Sequence, residues 1–122
     1  MTPAADTGFY SFIDYTVDGP QTQRELIEAF AEIQEQRVRS HPGYRSARFF
    51  ASTDGTRVYN VVSWASEADY LRFDETDDRE QRQAAIQRAL DGLSGHAEPR
   101  MTGAPRYRLL REVGPLPPAG AR

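Results

Sequence analysis

An asparagine and a tryptophan share one face of a strand-like segment near the middle of the chain. The segment Val58–Trp64 is rich in β-branched and aromatic residues, as strands are. Because side chains alternate along a strand, Asn60 and Trp64 point the same way, with about 13 Å between their Cα atoms. A buried Asn needs hydrogen-bond partners. Either a neighbouring loop bonds Asn60 while Trp64 fills the core, or the two line a pocket for a flat polycyclic ligand.

Few other side chains have types and positions suited to chemistry. Tyr70 follows in the next predicted helix, where it could face the same cavity or serve as a core tyrosine. Arg82 and Arg88 could reach a pocket between helices and sheet, whereas most arginines are expected to be solvated. His41 stands at a predicted helix end, which favours a helix-stop role. His96 lies in a Gly/Pro-rich connection and is expected to be solvated.

The amino-acid composition excludes several kinds of catalytic group. The chain has no cysteine, which excludes a disulfide, a thiolate metal site and a cysteine nucleophile. All 15 basic residues are arginine, which excludes a lysine nucleophile or Schiff base. No His/carboxylate set has the spacing of a metal site, and no Gly-rich dinucleotide or phosphate-loop pattern occurs. We therefore expect neither a metal nor a nicotinamide or flavin cofactor.

Charge and hydropathy also bear on partners and location. A net charge of −3 gives no electrostatic basis for binding nucleic acid. No apolar run is long enough to cross a bilayer, which predicts no membrane partner. The first seven residues lack the basic start and apolar core of a signal peptide. These features predict a cytoplasmic bacterial protein.

The elements that must position these residues follow a β-α-β-β-α-β order. The predicted elements are a strand Phe9–Tyr15, a helix from Pro20 that ends at 40–43, a strand Tyr44–Ala51, a tight turn Thr53–Thr56, the strand Val58–Trp64, a short helix around Tyr70–Phe73, a helix from about Arg79 to Leu90, and a strand Arg106–Leu110. The weak pattern of residues 92–105 predicts an irregular connection. The order indicates an α+β fold of the ferredoxin-like, split βαβ type. Helices would cover one sheet face, and the other face, with Tyr59 and Val61, would be buried in a homodimer.

The length of 122 residues predicts one domain. We place that domain at residues 8–113, after a flexible N-terminus of residues 1–7. Three prolines mark residues 114–122 as a C-terminal tail that is disordered or lies on a neighbouring molecule.

Several motifs together resemble those of a known family. They are Val17-Asp18-Gly19-Pro20 leading into Gln23, Pro42-Gly43-Tyr44 with Ser46-Ala47, the segment 51–56 (Ala-Ser-Thr-Asp-Gly-Thr), Asn60, and Trp64 with Ser66, Glu67 and Tyr70. Over about residues 8–73 the chain resembles the antibiotic biosynthesis monooxygenase family. The resemblance implies the dimeric α+β barrel fold, in agreement with the element order. It also implies a cofactor-independent monooxygenase that uses molecular oxygen to oxidise phenolic or anthrone-type aromatic polyketides to quinones.

The resemblance further implies a set of site residues. Asn60, Trp64 and Tyr70 match pocket residues of the family, and we expect them to be catalytic. Our hypothesis is that Asn60 and the Trp64 indole N–H donate hydrogen bonds to a substrate oxygen that gains negative charge. Tyr70 would hold or protonate another oxygen or the peroxide. We expect the substrate also to contact Phe30, Phe50, Val62, Phe73, Arg82 and Arg88.

One departure from the family bears on proton transfer. One member of the family that the chain resembles carries a His immediately before the segment 51–56, where this chain has Phe50. The proton acceptor is therefore unassigned. The alternatives on the same fold are oxidative ring opening, polyketide cyclisation and non-catalytic ligand binding.

Overall fold

The structure, a computed structural model, describes residues 8–95 and 99–116. Its elements are β1 (Phe9–Thr16), α1 (Pro20–Ile33), a π-helical turn (Gln34–Val38), β2 (Tyr44–Ala51), β3 (Arg57–Trp64), α2 (Glu67–Thr76), α3 (Arg79–Asp91), β4 (Arg100–Gly103) and β5 (Arg106–Arg108). The predicted flexible N-terminus, His96 and residues 117–122 of the predicted tail lie outside the described residues. No helix in the described ranges is both long and apolar enough to cross a lipid bilayer.

The strands form one antiparallel sheet in the order β2-β3-β1-β4, in which β5 pairs with the first half of β1. In the central pair, Phe9 lies opposite Trp64 and Ile13 lies opposite Asn60. Helix α1 packs on β2 and β3, and α2 packs on β3. The ferredoxin-like α+β prediction is confirmed.

Helix α1 is fixed to the sheet by its apolar stripe and by one buried amide. Pro20 occupies the first helical turn, where its missing N–H costs nothing, and Leu26 and Phe30 are buried. Gln23 is 5% exposed, and its amide donates to the backbone oxygens of Ser52 at 3.1 Å and Arg57 at 2.8 Å. The N-terminal half of α1 is thereby bound to the β2–β3 hairpin.

The first helix ends in a π-helical turn, which the sequence did not predict. Regular α-helix ends at Ile33, and the Arg39 N–H donates to the Gln34 carbonyl at 2.9 Å, five residues back. A π turn of this kind contains one more residue than an α turn. This extra residue explains why Val38, which is buried, follows Ile33 at an irregular spacing in the sequence.

The hairpin and the C-terminal strands also differ from the predictions. The strands are joined by a five-residue loop in place of the predicted tight turn. Gly55 adopts a positive φ of 79° in this loop, and the Asp54 carboxylate accepts hydrogen bonds from Ser52 and Thr56. These hydrogen bonds lower the pKa of Asp54. Part of the connection predicted to be irregular forms β4, whose largely exposed residues gave no alternating signal. The predicted last strand is shorter, since β5 ends at Arg108.

Helix α2 begins after Ser66, which is its N-cap. The Ser66 side chain accepts the Asp69 N–H at 3.1 Å and donates to the Asp69 carboxylate at 2.9 Å. Asp69 also lies against Gly43, whose φ of 85° is in the left-handed region. The Gly43 carbonyl accepts the Ala65 N–H at 2.7 Å, so this close approach fixes where α2 starts.

We expect Gly43→Ala to lower the free energy of unfolding by more than about 1–2 kcal/mol. That range is the cost of left-handed backbone for a residue with a Cβ, and the new Cβ would also overlap the Asp69 side chain. Urea unfolding followed by circular dichroism measures the change. Gly92→Ala is the control, because its φ is −83° and its added Cβ would come no closer than 3.5 Å to another atom. Equal losses in both variants would contradict this account.

Candidate functional site

A cavity of about 280 Å³ lies between the sheet and the helices. Strands β1 and β3 form its floor, and its walls come from α1, the π turn, α2 and α3. Met101, Ala104 and Arg106 border it on the side of β4 and β5. Its volume is near the lower end of the range for small-molecule sites, about 300–1,000 Å³. Most of its lining is aromatic or aliphatic, which suits an apolar ligand.

Side-chain alternation along β3 brings the predicted strand residues into this cavity. Asn60, Val62 and Trp64 point to the helix side and line the cavity floor. Their neighbours Ser11, Ile13 and Tyr15 on β1 line it as well. The cavity also receives other residues singled out from the sequence, namely Phe30, Tyr70, Phe73 and Arg82.

The aromatic side chains of the cavity are packed on one another. The Trp64 ring is 1% exposed and lies 5.2 Å from Phe73 and 6.0 Å from Tyr70, between centroids. Phe9 also packs on Tyr70, with 5.2 Å between ring centroids. Such pairs add about 0.5–1.5 kcal/mol each beyond their burial, so they hold Trp64 and Tyr70 in defined orientations.

Asn60 is the most unusual of the lining residues. Its side chain is 2% exposed, and its Oδ1 atom is buried without a hydrogen-bond partner among the described residues. Leaving a buried polar atom unpaired costs about 1–3 kcal/mol. No loop within residues 8–95 and 99–116 bonds this oxygen, so of the two alternatives left by the sequence the geometry of the described residues favours a ligand.

Arg82 is held at the cavity wall by two carboxylates. Its guanidinium donates to Asp77 at 3.1 Å and to Asp74 at 3.2 Å, and its Cζ lies 5.1 Å from the Phe73 ring centroid. Asp77 also accepts from Arg37, which belongs to the π turn, at 3.0 Å. The ion pairs connect α2, α3 and the π turn around one side of the cavity.

Two residues expected to contact the substrate lie elsewhere. Phe50 pairs with Tyr59 across the β2–β3 hairpin, so both point to the opposite sheet face, and Phe50 is 50% exposed. This placement corrects the expectation that Phe50 lines the pocket. Arg88 is six residues after Arg82, hence about 120° around the helix. Arg88 lines a separate surface groove between α1 and α3, and its expected role in the pocket is corrected as well.

Several polar lining residues were not anticipated, among them Gln34 and Arg106. Gln34 has a buried Oε1 atom without a partner among the described residues, and Arg106 lies over the Tyr70 ring with its Cζ 5.0 Å from the centroid. The sequence carried a signal for Gln34, which is four residues after the buried Phe30 and therefore on the same helix face. No comparable signal existed for Arg106, because its position depends on the pairing of β5 with β1.

The electrostatic character of the cavity follows from its titratable groups. Burial raises the pKa of Tyr15, so its hydroxyl is protonated, and able to donate, throughout the neutral range. Among the described residues that line the cavity there is no carboxylate and no histidine. Over residues 8–95 and 99–116, no group of three or more His, Asp or Glu side chains is placed to hold a metal ion.

Comparison with known proteins identifies related sequences and structures. The profile of the antibiotic biosynthesis monooxygenase family matches residues 12–88, more than half of the chain. The tetracenomycin-F1 monooxygenase of Streptomyces glaucescens is 34% identical over 70 residues, which are 57% of this chain and 61% of that protein. This aligned segment is less than two thirds of the relative's length.

Solved structures resemble almost the whole chain. The crystal structure of a monooxygenase from the gene ActVA-Orf6 of Streptomyces coelicolor, in complex with nanaomycin D, has a TM-score of 0.63 and 35% identity. The match covers 92% of this chain and 94% of that one. SnoaB, a cofactor-independent oxygenase from Streptomyces nogalater, has a TM-score of 0.58 at 13% identity, with coverages of 88% and 96%. At that identity the likeness shows the fold alone.

We expect Asn60→Leu to raise the free energy of unfolding of the ligand-free protein by about 1–3 kcal/mol, because it removes a buried polar atom without a partner. Urea denaturation measures the change. Gln23→Leu is the matched control: its amide is equally buried but hydrogen-bonded, so its loss should destabilise the protein. If both variants are destabilised to the same extent, the Asn60 amide is already paired.

Proposed function

The chain belongs to the antibiotic biosynthesis monooxygenase family, and we propose that it is a cofactor-independent monooxygenase. Its substrate would be a phenolic or anthrone-type aromatic polyketide intermediate, which it would oxidise to a quinone with molecular oxygen. The observation that carries this proposal is the aromatic cavity around Asn60, whose buried Oδ1 atom has no partner among the described residues. Two relatives above 30% identity are named as monooxygenases, which supports an oxygenase reaction.

The proposed reaction begins with loss of a proton from the substrate. An anthrone that loses a proton from its methylene carbon becomes an electron-rich anion, with negative charge on its carbonyl oxygen. The Asn60 amide and the Trp64 indole N–H would donate hydrogen bonds to that oxygen. Fixed donors aimed at developing charge in a cavity lined mostly by apolar side chains stabilise the anion more than bulk water does.

The anion can then react with oxygen without a cofactor. It transfers one electron to O₂, and the two radicals combine to form a peroxide at the former methylene carbon. Loss of water from this peroxide leaves a second carbonyl group, which gives the quinone. In total the methylene loses two hydrogens, one oxygen atom stays in the quinone and the other leaves as water. Tyr70 would donate its hydroxyl proton to the peroxide oxygen that departs.

The other lining residues would orient the substrate. Phe30, Val62 and Phe73 offer apolar surface to the fused rings, which places the reacting carbon near the donors. Arg82, bonded to two carboxylates, would hold Phe73 in position.

The proposed proton acceptor is water. Phe50 lies on the opposite sheet face, so a side chain at that position cannot reach a ligand in the cavity of the same protomer. Neither a carboxylate nor a histidine is present among the described cavity residues. We therefore propose that the substrate ionises through its own acidity, which the donors of the cavity increase.

We further propose that the protein is a homodimer through the open face of the sheet. Phe12 packs on Tyr59 at 5.4 Å and on Tyr107 at 4.9 Å, between ring centroids. Tyr59, Tyr107 and Phe50 are each between about a third and a half exposed. Exposed aromatic patches of this kind mark interaction surfaces, and a twofold dimer would bury them.

The purified protein should consume one O₂ per anthrone and form anthraquinone, measured with an oxygen electrode and mass spectrometry. Asn60→Ala should lower kcat by about 10²-fold, the effect of removing one oxyanion donor. Gln87→Ala, on the exposed side of α3, should leave kcat unchanged. Unchanged turnover in Asn60→Ala would exclude the proposed role of this residue. A product at the oxidation level of the substrate would indicate cyclisation, and binding without turnover would indicate a ligand-binding protein.

We expect Tyr59→Arg to convert the dimer to a monomer, because it places a charge in the proposed interface. Within the protomer, Asp14 lies opposite Tyr59 and tolerates an arginine there. Light scattering after gel filtration measures the mass. Leu71→Arg, which alters a 47% exposed residue of α2, is the control and should remain a dimer. A wild-type monomer, or a dimeric Tyr59→Arg, would place the interface elsewhere or exclude it.

A further inference from the structure

Two neutral carboxamides line the cavity with buried oxygen atoms that have no partner. Within the described residues, the buried side-chain atoms without partners are Asp14 Oδ1, Gln34 Oε1, Arg37 Nε and Asn60 Oδ1. Asp14 and Arg37 belong to ion pairs through their other atoms. Only Gln34 and Asn60 in this set are uncharged, and both line the cavity. Two of the four unpartnered atoms therefore belong to residues that line the cavity.

The two amides reach the cavity from different layers of the fold. Asn60 projects from the sheet, whereas Gln34 is the first residue of the π turn in the helix layer. π turns within helices are frequent at functional sites. The exposed Gln36 of the same turn shows the contrast, because its amide donates to Glu32 at 3.0 Å. Gln34 makes no such local pair with its buried oxygen.

We propose that Gln34 is a second polar anchor of the substrate site. It binds an oxygen substituent of the ligand that is remote from the oxygen held by Asn60. The cavity thereby selects fused-ring aromatic ligands that carry oxygen at both ends. This inference rests on the proposed function, since it concerns the same cavity and ligand class.

The oxygen substituents of the ligand decide whether the buried Gln34 oxygen is paired. A ligand whose only oxygen is a carbonyl can accept from the Asn60 amide nitrogen, but it has no donor for the buried Gln34 oxygen. A second, distant hydroxyl can donate to the Gln34 oxygen and so removes that unpaired atom. Sites that present buried polar groups discriminate against ligands that cannot pair with them. Gln34 therefore contributes to ligand selection, with no part in the reacting atoms.

The test compares the binding of two probes to the full-length protein. Anthrone carries one oxygen, and a hydroxyanthrone with its hydroxyl at ring carbon 2 or 3 carries a second one far from the carbonyl. Trp64 is the single tryptophan of the chain and lines the cavity, so quenching of its fluorescence measures both dissociation constants. The wild-type protein should bind the hydroxyanthrone about fivefold to tenfold more tightly, the effect of one hydrogen bond to a buried group.

Gln34→Met preserves the length of the side chain and removes its hydrogen-bonding atoms. This variant should lose the preference for the hydroxyanthrone while its affinity for anthrone changes less than twofold. Gln36→Met, two residues along the same turn, should keep the wild-type preference. Gln34→Leu provides the same comparison with a different apolar shape should the Met variant fold poorly.

The outcomes separate this inference from the proposed reaction. Because binding is measured, a wild-type protein that prefers the hydroxyanthrone but consumes no oxygen would reject the reaction and support the anchor. A wild-type protein that binds both probes alike, or binds neither, would overturn the anchor. Equal weakening of both probes in Gln34→Met would also overturn it, since that pattern indicates a structural role.

Discussion

The strict alternation of side chains along β3 is the constraint on which both the core and the site depend. One face of β3 is buried against the helices, and it carries Val58, Val62 and Trp64. Asn60 lies on the same face because it is an even number of residues from each of them. A slip of one residue would exchange this set for Tyr59, Val61 and Ser63. Pairing with β1, which places Ile13 opposite Asn60, prevents the slip. The apolar pattern that builds the core therefore also forces an amide into the cavity.

Two residues that line the cavity lower the stability of the fold. Asn60 and Gln34 each hold a buried oxygen that has no partner in the part of the chain that the structure describes, and an apolar side chain at either position would fit the surroundings better. The surrounding structure tolerates them because it is fixed by other interactions. Stacked rings orient Trp64, the Gln23 amide binds α1 to the hairpin, and ion pairs connect the helices. Violations of local rules that are supported in this way are typical of functional sites.

Much of this architecture follows from the periodicity of apolar residues in the sequence. The predictions that were wrong concern residues whose position depends on more than this periodicity. The predicted helices and the two faces of β3 depend on short-range rules and are confirmed by the structure. The placement of Phe50 depends on the register across the hairpin, which the loop length sets. Arg88 follows Arg82 by a spacing that carries it off the cavity face of α3.

Other features of the site depend on contacts that short-range rules do not describe. The strand β4 is largely exposed, so it has no alternating pattern. Arg82 selects Asp74 and Asp77 from the 18 acidic residues of the chain only after folding brings them together. Arg106 reaches the Tyr70 ring only because β5 pairs with β1.

The π turn gives this fold a way to change its ligand without changing its framework. It differs from an α turn by one residue, so deletion of a single codon there could restore a regular helix while α1 and β2 keep their ends. The side chain presented at position 34 would rotate to another direction, whereas the sheet with Asn60 would stay as it is. One wall of the cavity can thus diverge among descendants of a common gene while the other is inherited unaltered.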